Sequence, residues 1–125
     1  MATFRRFEEI QAWQKARIAT KRVYQISKNS DFARDFGLCN QIRRAAVSVM
    51  ANIAEGNGRR TNADFAGFLI QSHASAAEVQ SHLYIALDLN YIDNNEFKEI
   101  YDLFDEVSRM LTALVQHLRN AQKKL

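Results

Sequence analysis

The sequence predicts an all-α fold, an antiparallel up-down-up-down four-helix bundle, and three observations carry that prediction. The 125 residues contain no proline and only four glycines, whereas proline ordinarily supplies about 5% of residues, mostly in turns and linkers. The last third of the chain repeats Phe97, Ile100, Phe104, Val107, Leu111, Leu114 and Leu118 at alternating spacings of three and four, the seam of a helix lying nearly parallel to its neighbours. Turn-forming residues are gathered in a few short segments, and short connections force successive helices to lie side by side. With 47% hydrophobic residues, the chain is too apolar for disorder and is expected to form one domain, residues 1–125.

Each element has its own justification. The first helix is expected over about 7–28, with Ile10, Trp13, Ala16, Thr20, Val23 and Tyr24 along one side and Asn29 and Ser30 closing it. The second is expected over about 34–56; Ser30 or Asp31 are candidate caps, and Gly37 weakens the first turns. Its stop signal is Gly56-Asn57-Gly58, because both residue types tolerate the left-handed conformation of a C-cap. The third, about 62–90, opens on Thr61-Asn62-Ala63-Asp64 and carries Phe65, Phe68, Leu69, Ser72, Ala76, Val79, Leu83, Ala86 and Leu87 as its stripe. The fourth, about 93–121, starts where Asp93 can accept from free backbone N–H groups and Glu96 favours the positive end of the helix dipole.

Composition excludes several function classes. No apolar run approaches the roughly 18 residues of a membrane span, and Phe4-Arg5-Arg6-Phe7-Glu8-Glu9 mixes signs where an export signal would have a charged and then an apolar stretch, so export is not expected. A single cysteine, Cys39, excludes an internal disulfide framework and fits a reducing cytoplasm. The net charge of +3 conceals a division: residues 1–60 hold 12 Lys/Arg against 5 Asp/Glu, and residues 61–125 hold 5 against 9. The N-terminal half is the one suited to a polyanion.

The second helix carries more information than its neighbours. On a helical wheel, Leu38, Ile42, Ala45, Val49 and Ile53 form an apolar face, and Gln41, Arg44, Ser48, Asn52, Glu55 and Arg59 fall beside it within about 60° of one another. The remaining face carries Val47, Met50, Ala51 and Ala54, with Asn40 and Arg43 as its large polar members. A helix apolar on nearly all sides is buried on more than one side. Packing against a second subunit is therefore expected, with the polar stripe satisfied by hydrogen bonds at the seam.

Gln41-Ile42-Arg43-Arg44-Ala45-Ala46-Val47-Ser48, Asn52-Ile53-Ala54-Glu55-Gly56, Arg59, Phe65, Phe68-Leu69, Ser75 and Glu78, together with Trp13 and Phe36-Gly37-Leu38, resemble the signature of the four-helix-bundle family of 23S rRNA intervening-sequence proteins. The resemblance runs from about Phe7 to Ile92. It implies an up-down four-helix bundle assembling as a cyclic homopentamer, with members encoded within insertions of large-subunit ribosomal RNA genes; a distantly similar bundle is a nucleic-acid-binding accessory protein of diversity-generating retroelements. Met50 stands where the family often has proline, and Ala74 where it often has glycine, which bears on subunit packing.

Catalytic and metal chemistry find little support in the residue pattern. Glu55 and Glu78 form a conceivable carboxylate pair, but Glu-x-x-His pairs of the di-iron kind are absent and His73, His82 and His117 are scattered. Gly56-Asn57-Gly58 lacks the lysine of a phosphate-binding loop, and Cys39 has no histidine beside it in sequence. The chain is read as non-enzymatic, with no cofactor and no metal. Gln41, Arg44, Ser48, Asn52, Glu55, Arg59, Ser75 and Glu78 are read as an interhelical or intersubunit polar network in which Arg44 and Arg59 offset Glu55 and Glu78. Arg5, Arg6, Lys15, Arg17, Lys21, Arg22, Arg43, Arg59 and Arg60 are the candidate contacts to nucleic acid, RNA before DNA, through phosphates and without sequence reading; Lys28 and Arg44 belong to the same basic half. The alternative is an oligomeric scaffold that binds a protein partner, such as a nucleic-acid-processing enzyme, without touching nucleic acid.

Overall fold

The computed structural model describes residues 4–123, and among them it contains helices and turns but no strand. A single 3-10 turn at Phe7–Glu9 precedes helix α1 (Gln11–Ile26), followed by a short α2 (Ser30–Arg34), α3 (Phe36–Asn57), α4 (Asn62–Asp88) and α5 (Asn94–Lys123). Helix α1 packs on α3 and α5, and α4 packs on the same two helices, so α1 and α4 stand on opposite corners. Neighbours run antiparallel. Ser48 meets Ser75 across α3 and α4, Gln80 reaches the Tyr101 carbonyl across α4 and α5, and Lys15 and Arg22 meet Glu106 and Glu99 across α1 and α5.

Two helix starts match the sequence reading in chemistry as well as position. The Thr61 hydroxyl accepts from the Asp64 N–H at 3.1 Å. Asp93 and Glu96 form a reciprocal capping box: the Glu96 N–H donates to Asp93 Oδ1 at 2.8 Å, and the Asp93 N–H to Glu96 Oε1 at 3.1 Å. The first helix differs from the expected 7–28. Ile10 is extended and fully buried, so the chain turns once, breaks and then enters α1.

The start of the second long helix is also corrected. Ser30 and Asp31 belong to the separate α2, and the residue that caps α3 is Asp35. Its Oδ1 accepts from the Leu38 N–H at 3.1 Å, while Oδ2 accepts from the Tyr91 hydroxyl at 3.0 Å. Phe32, wholly buried, stacks on the same Tyr91 ring at 5.3 Å. A contact 56 residues away in sequence thus selects one acidic cap among several.

Gly56 has a different role from the one its neighbours suggest. No glycine takes a positive φ; α3 runs through Gly56 and Asn57 and ends at Gly58 with φ −82°. What Gly56 supplies is space, because a methyl group there would lie 2.8 Å from Phe68 Cβ and 2.9 Å from a Phe65 ring carbon. The left-handed cap occurs instead at the end of α4. Asn90, at φ 60°, lets the Tyr91 N–H reach the Ala86 carbonyl at 2.9 Å and its own N–H reach Leu87 at 3.0 Å, a Schellman closure.

The core lies along the bundle axis. Val23, Ile42, Val49 and Ile53 meet Leu69, Ala76, Val79 and Leu83, and α5 contributes Ile100, Phe104, Val107, Leu111 and Leu118, all buried. Phe97 and Leu114 of the predicted stripe are half-buried at its edges.

Candidate nucleic-acid interface and the polar seam beside it

Where α3 crosses α4, the seam is held by small hydroxyl and amide groups. Ser48 and Ser75 share a hydrogen bond of 2.9 Å, and Asn52 Nδ2 donates to both the carbonyl and the hydroxyl of Ser48 at 2.9 and 3.0 Å. One turn away, the buried Ser72 hydroxyl donates to the Val49 carbonyl at 2.7 Å. Small residues here let the backbones approach while leaving no buried hydroxyl unpaired. Sequence reasoning placed Ser48, Asn52 and Ser75 together but read Ser72 only as part of the apolar stripe, because a seryl donor to a distant carbonyl leaves no sequence signal.

The remaining members of the expected network are not joined to that seam. Glu55 pairs with Arg59 along one exposed turn at 3.3 Å, and Glu78 meets His82 in the same way at 3.3 Å. Gln41 and Arg44 are exposed and make no side-chain hydrogen bond to another described residue. Arg44 therefore does not offset Glu78 within the chain, and the continuous network becomes three separate groups.

The basic residues divide in a similar way. Arg22 grips Glu99 with two hydrogen bonds of 2.8 and 2.9 Å, which hold the Glu99 carboxyl below its ordinary pKa, and Lys15 pairs with Glu106 at 3.3 Å. Arg43 is half-buried, donates to Ser27 Oγ at 2.8 Å and lies 4.8 Å above the Tyr24 ring. These three are engaged by the bundle itself. Arg6 and Arg59 make exposed pairs with Glu8 and Glu55, and Arg59 also lies 4.5 Å above the Phe68 ring. Arg5, Arg17, Lys21 and Arg60 are exposed and have no ion-pair partner among the described residues; Arg17 covers the edge of Trp13 at 5.9 Å.

Antiparallel folding rearranges the division of charge seen along the sequence. Arg5 and Arg6 before α1, Arg59 and Arg60 after α3, and Arg119 near the end of α5 fall at the same end of the bundle, where Asn62 Nδ2 donates to the Leu118 carbonyl at 3.5 Å. The opposite end gathers Asp31, Asp35, Asp88, Asp93, Glu96 and Asp102 in excess over Lys28, Arg34 and Lys98, the last paired with Asp102 at 2.8 Å, while the basic end also holds Glu8, Glu9, Glu55 and Asp64. The polarity of the molecule is thus lengthwise. Arg119 is the residue that sequence reasoning missed, since it lies in the acidic half of the chain and only the fold carries it to the basic end.

Other candidate chemistry stays dispersed. The Cys39 thiol donates to the Phe32 carbonyl at 3.0 Å, and burial pushes its pKa up, the opposite of an activated nucleophile. A cleft of about 280 Å³ between α4 and α5 has an apolar floor of Leu69, Leu111 and Val115 with His73 and Arg119 in its lining. Among the described residues no three His, Cys, Asp or Glu side chains converge as a metal site requires, and no helix is long and apolar enough to cross a membrane.

Comparison with known proteins agrees with this architecture. The family model of the 23S rRNA-intervening sequence protein matches residues 8–113, extending beyond the signature residues into α5. Among solved structures, the chain is similar to a protein of unknown function from the S23 ribosomal protein family of Bacteroides thetaiotaomicron, with 23% identity, a TM-score of 0.77, and coverage of 83% of this chain and 97% of that one. At that identity the likeness concerns the fold. No curated protein matches. The chain belongs to the 23S rRNA-intervening sequence protein family.

Proposed function

We propose that this member of the 23S rRNA-intervening sequence family is a non-enzymatic homo-oligomer, a pentamer by resemblance to its family, that binds RNA or DNA through phosphate contacts at its basic end. The observation that carries this reading is the convergence of Arg5, Arg6, Arg59, Arg60 and Arg119 at one end of a bundle whose other end is acidic. Exposed pairs such as Arg6–Glu8 contribute at most about 1 kcal/mol, so an incoming phosphate competes for them readily. Arg17 and Lys21 extend the cationic surface along α1, whose 16 residues contain no acidic side chain. In an oligomer the same polarity is repeated, which raises the local potential without requiring a base-reading element.

Titration of a structured RNA hairpin and of duplex DNA across a salt series tests the reading. Binding is expected near 50 mM salt, with log affinity falling by about 0.9 per phosphate contact for each decade of salt on a duplex. The double variant Arg5→Glu, Arg60→Glu should lose most of that affinity on both substrates alike. Absence of binding near 50 mM salt, or an affinity indifferent to salt, sinks the proposal.

A further inference from the structure

Arg59 offers more than charge at the basic end. Its guanidinium lies 4.5 Å above the Phe68 ring, and Phe68 is itself pressed against α3, where its Cβ stands 2.8 Å from the position of a methyl on Gly56. The ring is therefore a fixed backing for a planar cation whose side chain remains 44% exposed. Beside this pair is a shallow depression of about 340 Å³, lined by Arg59, Ala63, Asp64, Gly67, Phe68 and Gln71. Gly67 stands inside α4, where glycine destabilises a helix relative to alanine. Packing within the chain does not call for it, since a Cβ there would meet no described atom within 4 Å. A bare, outward-facing backbone beside a stacked cation suits the close approach of a flat ligand.

The polarity of the depression is mixed. Asp64 and Gln71 are both exposed; an ionised carboxylate only accepts hydrogen bonds, whereas the amide donates and accepts. A carboxylate repels a phosphate but accepts from the amino edge of a base. We infer that this depression receives one unpaired nucleobase, stacked on the Arg59 guanidinium with Phe68 behind it and its edge turned to Asp64 and Gln71. The inference rests on the phosphate-binding reading above and names the form of the ligand: a single-stranded or looped polynucleotide in preference to a duplex, whose bases are already stacked on one another. Stacking on guanidinium or aromatic planes tolerates any base, so it adds affinity without a sequence code. Arg60, next in the chain, is exposed and has no ion-pair partner among the described residues, which leaves it open to the phosphate of the same nucleotide.

Fluorescence anisotropy on the full chain, with an unstructured RNA strand and a blunt RNA duplex of the same length near 50 mM salt, tests this. The wild-type chain should bind the strand more tightly, although the duplex has the denser phosphates. Gly67→Leu fills the depression without altering a charge. It should retain helical circular dichroism and melting temperature, since leucine is the better helix former, and the ratio of strand to duplex affinity should fall about tenfold. Arg59→Lys keeps the charge but not the plane, and should weaken strand binding while the salt slope is retained. Equal affinity for strand and duplex, a preference for the duplex, or a ratio that neither variant moves overturns the base slot and leaves phosphate binding standing. Failure of the wild-type chain to bind either probe removes both readings.

Discussion

The α1/α5 side and the α3/α4 side of the bundle differ in what they do with charge. On the first, long side chains reach across the seam: Lys15 to Glu106 at 3.3 Å and Arg22 to Glu99 at 2.8 Å. On the second, the seam is closed by Ser48, Asn52, Ser72 and Ser75, and the charges of α3 and α4 never meet across it. The first side completes its bonding within the chain. The second packs tightly at the seam and leaves Phe36, Val47, Ile70, Tyr84 and Ile85 exposed on its outer surface, with its charges paired only along each helix, as in Glu55–Arg59 and Glu78–His82. The lesson is that a seam built from small polar groups allows close backbone approach without calling on charges from either helix.

The contrast breaks most visibly at Gly56. Gly56→Val places a branched side chain against Phe65 and Phe68 at a crossing that lacks room for even one methyl, and overpacking of this kind costs about 1–3 kcal/mol or more. Urea unfolding should show a lower midpoint with a similar slope, and an unchanged midpoint would mean the two helices part easily. A smaller effect is expected from Ser72→Ala, which removes the donor to the Val49 carbonyl and should cost about 1 kcal/mol, independent of salt. An effect that grew with falling salt would point to electrostatics at a seam whose groups are neutral.

The smallest effect lies on the charged side. The hydrogen bonds from Arg22 hold the Glu99 carboxyl below its ordinary pKa, so the stabilisation is fully present above the unfolded value and is lost as pH falls through the lowered folded value. Both side chains are partly exposed, which limits the pair to roughly 0.2–1 kcal/mol and makes it sensitive to salt. Glu99→Gln should flatten that portion of the stability profile below about pH 4.5, near the ordinary Glu range. A stability profile unchanged by the variant would mean that the pair adds nothing to the α1/α5 side.

Much of the fold is legible in the sequence because it rests on local periodicity. The α5 stripe from Ile100 to Leu118 is buried as its spacing requires, and Thr61 and Asp93 cap the helices that follow them. Errors cluster where a distant residue decides. Asp35 prevails over Ser30 and Asp31 as the cap of α3 because Tyr91 anchors it, and the break at Ile10 occurs because that side chain is drawn into the core. The candidate site shows the same split: the basic residues can be counted in sequence, but Lys15, Arg22 and Arg43 are withdrawn by partners that only the fold supplies, and Arg119 is added by it.

The sequence by itself determined that this protein is helical, where the long helices run to within a few residues, and that one face of α3 is too apolar for ordinary exposure, since all three follow from the 3.6-residue period and from local capping chemistry. Tertiary structure alone decided the function of Gly56, which is room for two phenylalanines, and the direction of the charge asymmetry. Antiparallel helices bring the start of one to the end of the next, so each half of the chain spans the whole length of the molecule and charges from both halves, Arg60 with Arg119 and Asp35 with Asp93, meet at its ends.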